Sequence, residues 1–157
     1  MKIPYLEKPV SFGFKQIFPE VGDILKPLIP IVVRYQEKKE KIFALVDSGA
    51  DACLFPNGLA DRLGIDVRTG LRHDFIGIGA SKTSFFFHEV EILFGKYQVK
   101  TKAGFSSSQN IGVGGILGQQ GFFDHFVIAF DHKNKFIEIK QHGLIQDLTS
   151  KFSLNLF

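Results

Sequence analysis

One cysteine, one methionine and no tryptophan occur in 157 residues. With Cys53 alone, no intramolecular disulfide can form, which suits a reducing compartment. One thiol is also too few for the common cysteine-based zinc patterns, and no His-x-x-x-His or His-Glu-x-x-His spacing is present, so no metal site is expected. His73, His88, His125, His132 and His142 are dispersed. Charge of one sign is scarce too: 19 basic against 16 acidic residues leave a net +3. The densest basic cluster, Lys38, Lys39 and Lys41, is broken by Glu40. A nucleic-acid binder would carry a basic stripe or a recognisable module, so no nucleic-acid partner is expected. Long hydrophobic runs are absent. Residues 103–123 carry no charge, but Gly104, Gly112, Gly114, Gly115, Gly118 and Gly121, with serines and glutamines, make a poor bilayer helix. The N-terminal residues show no apolar stretch of signal-peptide length. These absences together predict a cytoplasmic protein with no membrane partner.

The length fits one domain, since roughly 100–200 residues per domain is usual. Hydrophobic residues make up 45% of the chain, and 18 Phe against 3 Tyr favour a strand-rich core. The expected class is mainly β, with one or two short helices. Residues 1–27, interrupted by Pro4, Pro9, Pro19 and Pro27, read as an irregular N-terminal extension. Residues 28–35 are rich in β-branched side chains and predict a strand. A charged turn over 36–40 and a second strand over 41–46 complete a hairpin. Residues 57–63 predict a short helix, with Asn57 as N-cap and Gly64 as its end. Strands are expected at 71–76, 83–87, 90–94, 97–102, 126–130 and 136–139, with a turn at Gly95-Lys96. Residues 28–140 form the expected domain. Residues 141–157 form a C-terminal extension that packs on the core or on a dimer interface.

The segment with chemical content is Ala44-Leu45-Val46-Asp47-Ser48-Gly49-Ala50-Asp51. An apolar strand delivers a carboxylate into a turn of small residues. A carboxylate at the end of a buried strand is costly unless it is hydrogen-bonded or paired, and such positions often mark tuned acid–base groups. Gly49 lets backbone approach closely, and Ser48 offers a hydroxyl to hold the loop.

These residues resemble the Asp-Thr/Ser-Gly catalytic loop of aspartic peptidases, and most closely the single-domain, retroviral-type branch, the retropepsin-like proteases. Further matches follow in that family's order. Phe75-Ile76-Gly77-Ile78-Gly79-Ala80 is similar to the glycine-rich flap tip. Gly115-Ile116-Leu117-Gly118 looks like the element that crosses near the catalytic loop and precedes a short helix. Residues 121–131 look like the helix end and closing hairpin of bacterial members. The resemblance covers about residues 28–140 and implies an acid-protease β-barrel. It implies an aspartic endopeptidase that needs no cofactor. One Asp-Ser-Gly per chain implies a homodimer, with Asp47 of each copy meeting on a two-fold axis. One carboxylate would activate water and the other protonate the developing oxyanion. By the same resemblance, Ser48 would lock the two loops across the axis. Gly49, Ala50 and Asp51 would meet substrate backbone, Ile76 to Ala80 would close over the peptide, and Ile116, Leu117 and Gly118 would support the loop. The substrate would be a peptide or protein. One departure stands out: Gln119 occupies a position where retroviral enzymes usually carry Arg paired with the counterpart of Asp51.

Other readings have less behind them. Gly112-Val113-Gly114-Gly115 satisfies neither nucleotide-loop pattern, and Ser106 to Ser108 lack a nucleophile elbow. His125, next to Asp124, suits a structural place at a helix end. Cys53 reads as a small buried residue. One of Phe85, Phe86 and Phe87 could line a subsite, while strand alternation puts at least one in the core. The alternative from another class is a catalytically silent domain of the same fold that dimerises and binds a peptide or partner protein. A small-ligand barrel carrier would instead show a closed apolar cavity and no dependence on Asp47.

Overall fold

In the computed structural model, residues 1–8, 12–76, 82–107 and 112–142 are described. Alternation of buried and exposed side chains builds the central strands. In β4 (Leu28–Tyr35), Ile29, Ile31 and Val33 point into the core; in β5 (Lys38–Val46), Ile42, Ala44 and Val46 do the same. The two form an antiparallel hairpin in which Leu28 faces Leu45. Its turn is tighter than the sequence suggests. Gln36, at φ 52°, and Glu37 close it, so Lys38 to Glu40 are strand rather than turn. The lysines keep their charges in water at this edge and still pair through backbone.

A short strand β6 (Leu54–Phe55) leads into helix α2 (Asn57–Leu63), which buries Leu59, Ala60 and Leu63. Gly64, left-handed at φ 71°, ends the helix as expected. The N-cap is Pro56, one residue before the predicted Asn57, whose side chain instead bonds Asp61 on the next turn. A single 3-10 turn over Val67–Thr69 precedes β7 (Leu71–Ile76). The strands expected at 83–87 and 90–94 are one continuous strand, β8 (Lys82–Phe94). His88 and Glu89 stay extended because they pair with Ala103 and Lys102 of β9 (Tyr97–Ser106). The β8–β9 turn is the predicted Gly95-Lys96.

A two-residue strand, β10 (Ile116–Leu117), lies parallel to β5 and antiparallel to β6. The sheet runs β4-β5-β10-β6-β9-β8-β7, and a further β4–β8 pairing closes it into a barrel. The mainly-β barrel expected from the sequence is therefore the fold. Its core is filled by aromatics. Phe122 is fully buried, with ring centroids 6.0 Å from Phe94 and 5.0 Å from Phe126.

The N-terminal residues are more regular than their prolines suggest. Strand β1 (Lys2–Pro4) pairs with β12 (Phe136–Gln141), which pairs with β11 (Phe126–Asp131). Strands β2 (Leu6–Lys8) and β3 (Ile24–Lys26) form a hairpin, and α1 (Phe12–Ile17) lies between them. Pro4 ends β1, Pro27 separates β3 from β4, and Pro19 follows α1, all positions that proline tolerates. Residues 121–125 form hydrogen-bonded turns, where the resemblance implies a helix end. Gly121, at φ 96°, breaks any helix there, and its N–H is captured by the Asp124 carboxylate. His125 is consequently not at a helix end. The expected packing of the C-terminal extension concerns residues 143–157, outside those described; Gln141 ends β12, and the His142 N–H donates to the His125 carbonyl. No helix among the described residues is long and apolar enough to cross a membrane.

Phe122→Ala should cost about 3–5 kcal/mol of folding stability, read from urea unfolding, because a fully buried ring leaves a cavity its aromatic neighbours cannot fill.

Candidate active site

Strand parity places Asp47. Residues 42, 44 and 46 face the core, so the next residue turns to the opposite side, at the end of β5. Asp47 is half-buried there, and Ser48, Gly49 and Asp51 are exposed. The loop is folded on itself: the Gly49 N–H donates to Asp47 Oδ1 at 2.9 Å, and the Ala50 N–H to the Asp47 carbonyl at 3.2 Å. This is an Asx-type turn, the geometry short acidic residues favour.

The segment running from β10 into Gln120 holds the loop from one side along its whole length. The Asp47 N–H donates to the Leu117 carbonyl at 3.0 Å. The Gln119 N–H donates to the Ala50 carbonyl at 2.8 Å, and the Gln120 N–H to the Asp51 carbonyl at 2.9 Å. The Cys53 N–H returns a bond to the Gln120 carbonyl at 3.2 Å. On the other side, the Val46 N–H donates to the Pro27 carbonyl at 3.0 Å. Gly118 has to be glycine for this contact. A Cβ there would strike the Ala52 carbonyl oxygen and lie 2.6 Å from that of Ala50. Ile116 is half-buried, and Leu117 and Gly118 are buried. Of the three residues expected to support the loop, Leu117 bonds Asp47 and Gly118 lies against the Ala50 and Ala52 carbonyls, while Ile116 pairs with Leu45 and Leu54 on the strands beside it.

Gln119 supplies what the sequence did not reveal. Its side-chain amide donates to the Ser48 carbonyl at 3.1 Å. Ser48, Gln119, Gln120, Phe123 and Asp124 line an open concavity beside the loop. Cys53 follows the loop in full burial, which pushes its thiol up to about 12 and leaves it un-ionised at neutral pH.

After Cys53, Leu54 meets Phe85 and Phe87 of β8 around Gly104. Ala52, Leu54 and Phe85 are buried yet lie outside the main core cluster. Phe75 packs edge-on against Phe85 at 5.5 Å and lies 6.3 Å from Phe87. Phe86, on the opposite face of β8, packs on the core. The alternation expected for the triple phenylalanine is therefore present, with Phe85 and Phe87 on the aromatic wall and Phe86 inward.

The β7–β8 hairpin carries a polar cluster on its other face. Asp74 accepts from Ser84 Oγ at 2.7 Å and from Arg72 Nε at 3.0 Å, and it pairs with Lys82 at 2.8 Å. The Lys82 ammonium, then the Ser84 hydroxyl and the Arg72 guanidinium, hold its carboxyl well below the usual carboxylate range. Ile76 ends β7, its backbone paired with Lys82. Gly77, Ile78, Gly79 and Ala80, expected to form the flap, lie outside the described residues. Among the described residues, no group of three metal-ligating side chains comes together.

No family model matches the sequence, and no curated protein matches it. Solved structures do match the chain. One is the retroviral protease-like domain of Ddi1 from Leishmania major, at 17% identity and a TM-score of 0.51, covering 74% of this chain and 89% of that one. Another is a retropepsin-like aspartic protease from Rickettsia conorii, at 18% identity and a TM-score of 0.54, covering 76% and 99%. The fold is retropepsin-like. In that retropepsin-like frame, Asp47, Ser48, Gly49, Ala50 and Asp51 form one continuous loop, with Leu117 and Gly118 against it.

Two outcomes are expected here. Gly118→Ala should lower folding stability by about 1–3 kcal/mol in urea unfolding, because backbone rather than a flexible side chain must give way. Asp74 stabilises the hairpin only while ionised, and its folded-state affinity for the proton is lowered. The stability difference between wild type and Asp74→Asn should therefore be full above about pH 4, the ordinary carboxylate value, and shrink as pH falls below it. Urea unfolding at a series of pH values reads this directly.

Proposed function

We propose that the protein is an aspartic endopeptidase, active as a homodimer, that hydrolyses peptide bonds between two Asp47 carboxylates. The observation that carries this reading is the Asp47-Ser48-Gly49 turn, which leaves the end of a core strand and is held by the Leu117–Gln120 backbone within a retropepsin-like fold. A loop with that much backbone support keeps a carboxylate in fixed geometry, as acid–base catalysis requires.

The chemistry follows from like-charge repulsion. Two carboxylates in contact cannot both ionise, so the pair shares one proton. The ionised Asp47 takes a proton from water, which attacks the scissile carbonyl. The protonated Asp47 donates to the oxygen as it becomes an oxyanion, and the amine leaves after proton return. In this reading Ser48 bonds across the two-fold axis. Gly49, Ala50 and Asp51 align the substrate backbone, and Ile76 with Gly77 to Ala80 covers it. Half-buried Phe75 and Phe87, backed by buried Phe85, would offer apolar substrate side chains a surface to bury against. A cytoplasmic setting fits the single cysteine, which is buried and has no partner for a disulfide.

The test is cleavage of a diverse peptide mixture by purified protein across pH 4–7, beside Asp47→Asn. Wild type should cut and the variant should lose cleavage by a factor of at least about a thousand, since the dyad supplies both acid and base. Equal cleavage by both, or none by folded wild type, would leave the silent peptide-binding domain as the better account.

A further inference from the structure

Gln119 and Asp47 are joined through a single peptide group. The carbonyl oxygen of the Ser48–Gly49 peptide accepts from the Gln119 side-chain amide at 3.1 Å. The N–H of that same peptide donates to Asp47 Oδ1 at 2.9 Å. A hydrogen bond on a peptide oxygen polarises the group and makes its N–H a stronger donor. It also fixes the peptide plane against rotation. Gln119 is itself fixed, because its own N–H donates to the Ala50 carbonyl at 2.8 Å. The amide is neutral and exposed, so it exerts this effect by orientation and not by a formal charge.

We propose that Gln119 is a positioning residue for Asp47, acting through the Ser48–Gly49 peptide to hold the Gly49 N–H on the carboxylate. The claim that this affects turnover rests on the peptidase reading above; the claim that it orients Gly49 does not. Losing the hold leaves the Ser48–Gly49 peptide free to rotate and takes the Gly49 N–H off the carboxylate.

Other ionisable groups near the loop are Asp51 within it, Asp124 in the shared concavity, and His125, 3.6 Å from Asp124. Lys26 precedes Pro27, whose carbonyl takes the Val46 N–H, and in a dimer the second Asp47 faces the first. Replacing Gln119 with leucine alters none of these, which makes that variant the cleaner probe. Replacing it with glutamate keeps the shape, but an ionised carboxylate cannot donate to the Ser48 carbonyl and adds a negative charge.

The experiment pairs kinetics with an NMR readout on the full chain. In Gln119→Leu and in Gln119→Glu, kcat should fall about fivefold with KM changed by less than about twofold. In the same proteins at neutral pH the Gly49 amide proton should lie downfield in wild type and upfield in both variants. A Gly49 proton unmoved in both folded variants overturns the proposal, whatever the activity. If wild type cleaves nothing while the Gly49 proton moves as stated, the peptidase reading fails and the positioning role stands.

Discussion

A parallel pairing between β5 and β10, continued as a backbone ladder, holds the candidate site. Strand β5 ends at Val46, and without further partners the chain from Asp47 to Cys53 would be a loop held only by its own Asp47 turn. Instead Leu117, Gln119 and Gln120 accept and donate along it, and Gly118 lets the two backbones approach to a distance no side chain would permit. The paired strands are distant in sequence, so this contact carries a loop-closure cost that a local turn does not. The site is therefore a product of the completed fold, not of local turn chemistry alone.

Closure also separates two apolar layers. The main core lies between β4, β5, β8, β9 and the β11–β12 hairpin, with Phe55, Phe105 and Phe122 at full burial. A smaller group, Leu54, Phe85 and Phe87 around Gly104 with Phe75 against Phe85, lies outside that core. Strand alternation produces this division. Phe86 turns toward the main core and its two neighbours turn to the opposite face, so one run of three identical residues serves both layers.

Much of this was legible in the sequence where physics acts locally. Strand β4, strand β7, helix α2 and the Gly64 stop follow from β-branched runs, alternation and the need of a left-handed residue at a helix end. The Asp47 loop and its partner at Ile116 to Gly118 were readable as motifs in order. What escaped depends on pairing at a distance. β1 and β3 have three residues each, too few for a period to show, and exist because β12 and β2 lie alongside. His88 and Glu89 look like a break until β9 supplies their partners. Residues 121–125 resemble a helix end, yet Gly121 and the Asp124 carboxylate turn the chain another way. Gln119 stood out only as a departure from arginine; its bond to the Ser48 carbonyl spans 71 residues of sequence and has no local signature.

The central claim is that two Asp47 carboxylates, one from each copy, share one reaction. The most direct test mixes wild type with Asp47→Asn at fixed total concentration, after subunits have exchanged. If a mixed dimer is inactive, activity falls as the square of the wild-type fraction, so an equal mixture keeps about a quarter of the starting rate. A linear fall, with about half the rate retained at equal mixture, would mean that each chain acts alone and would contradict the account.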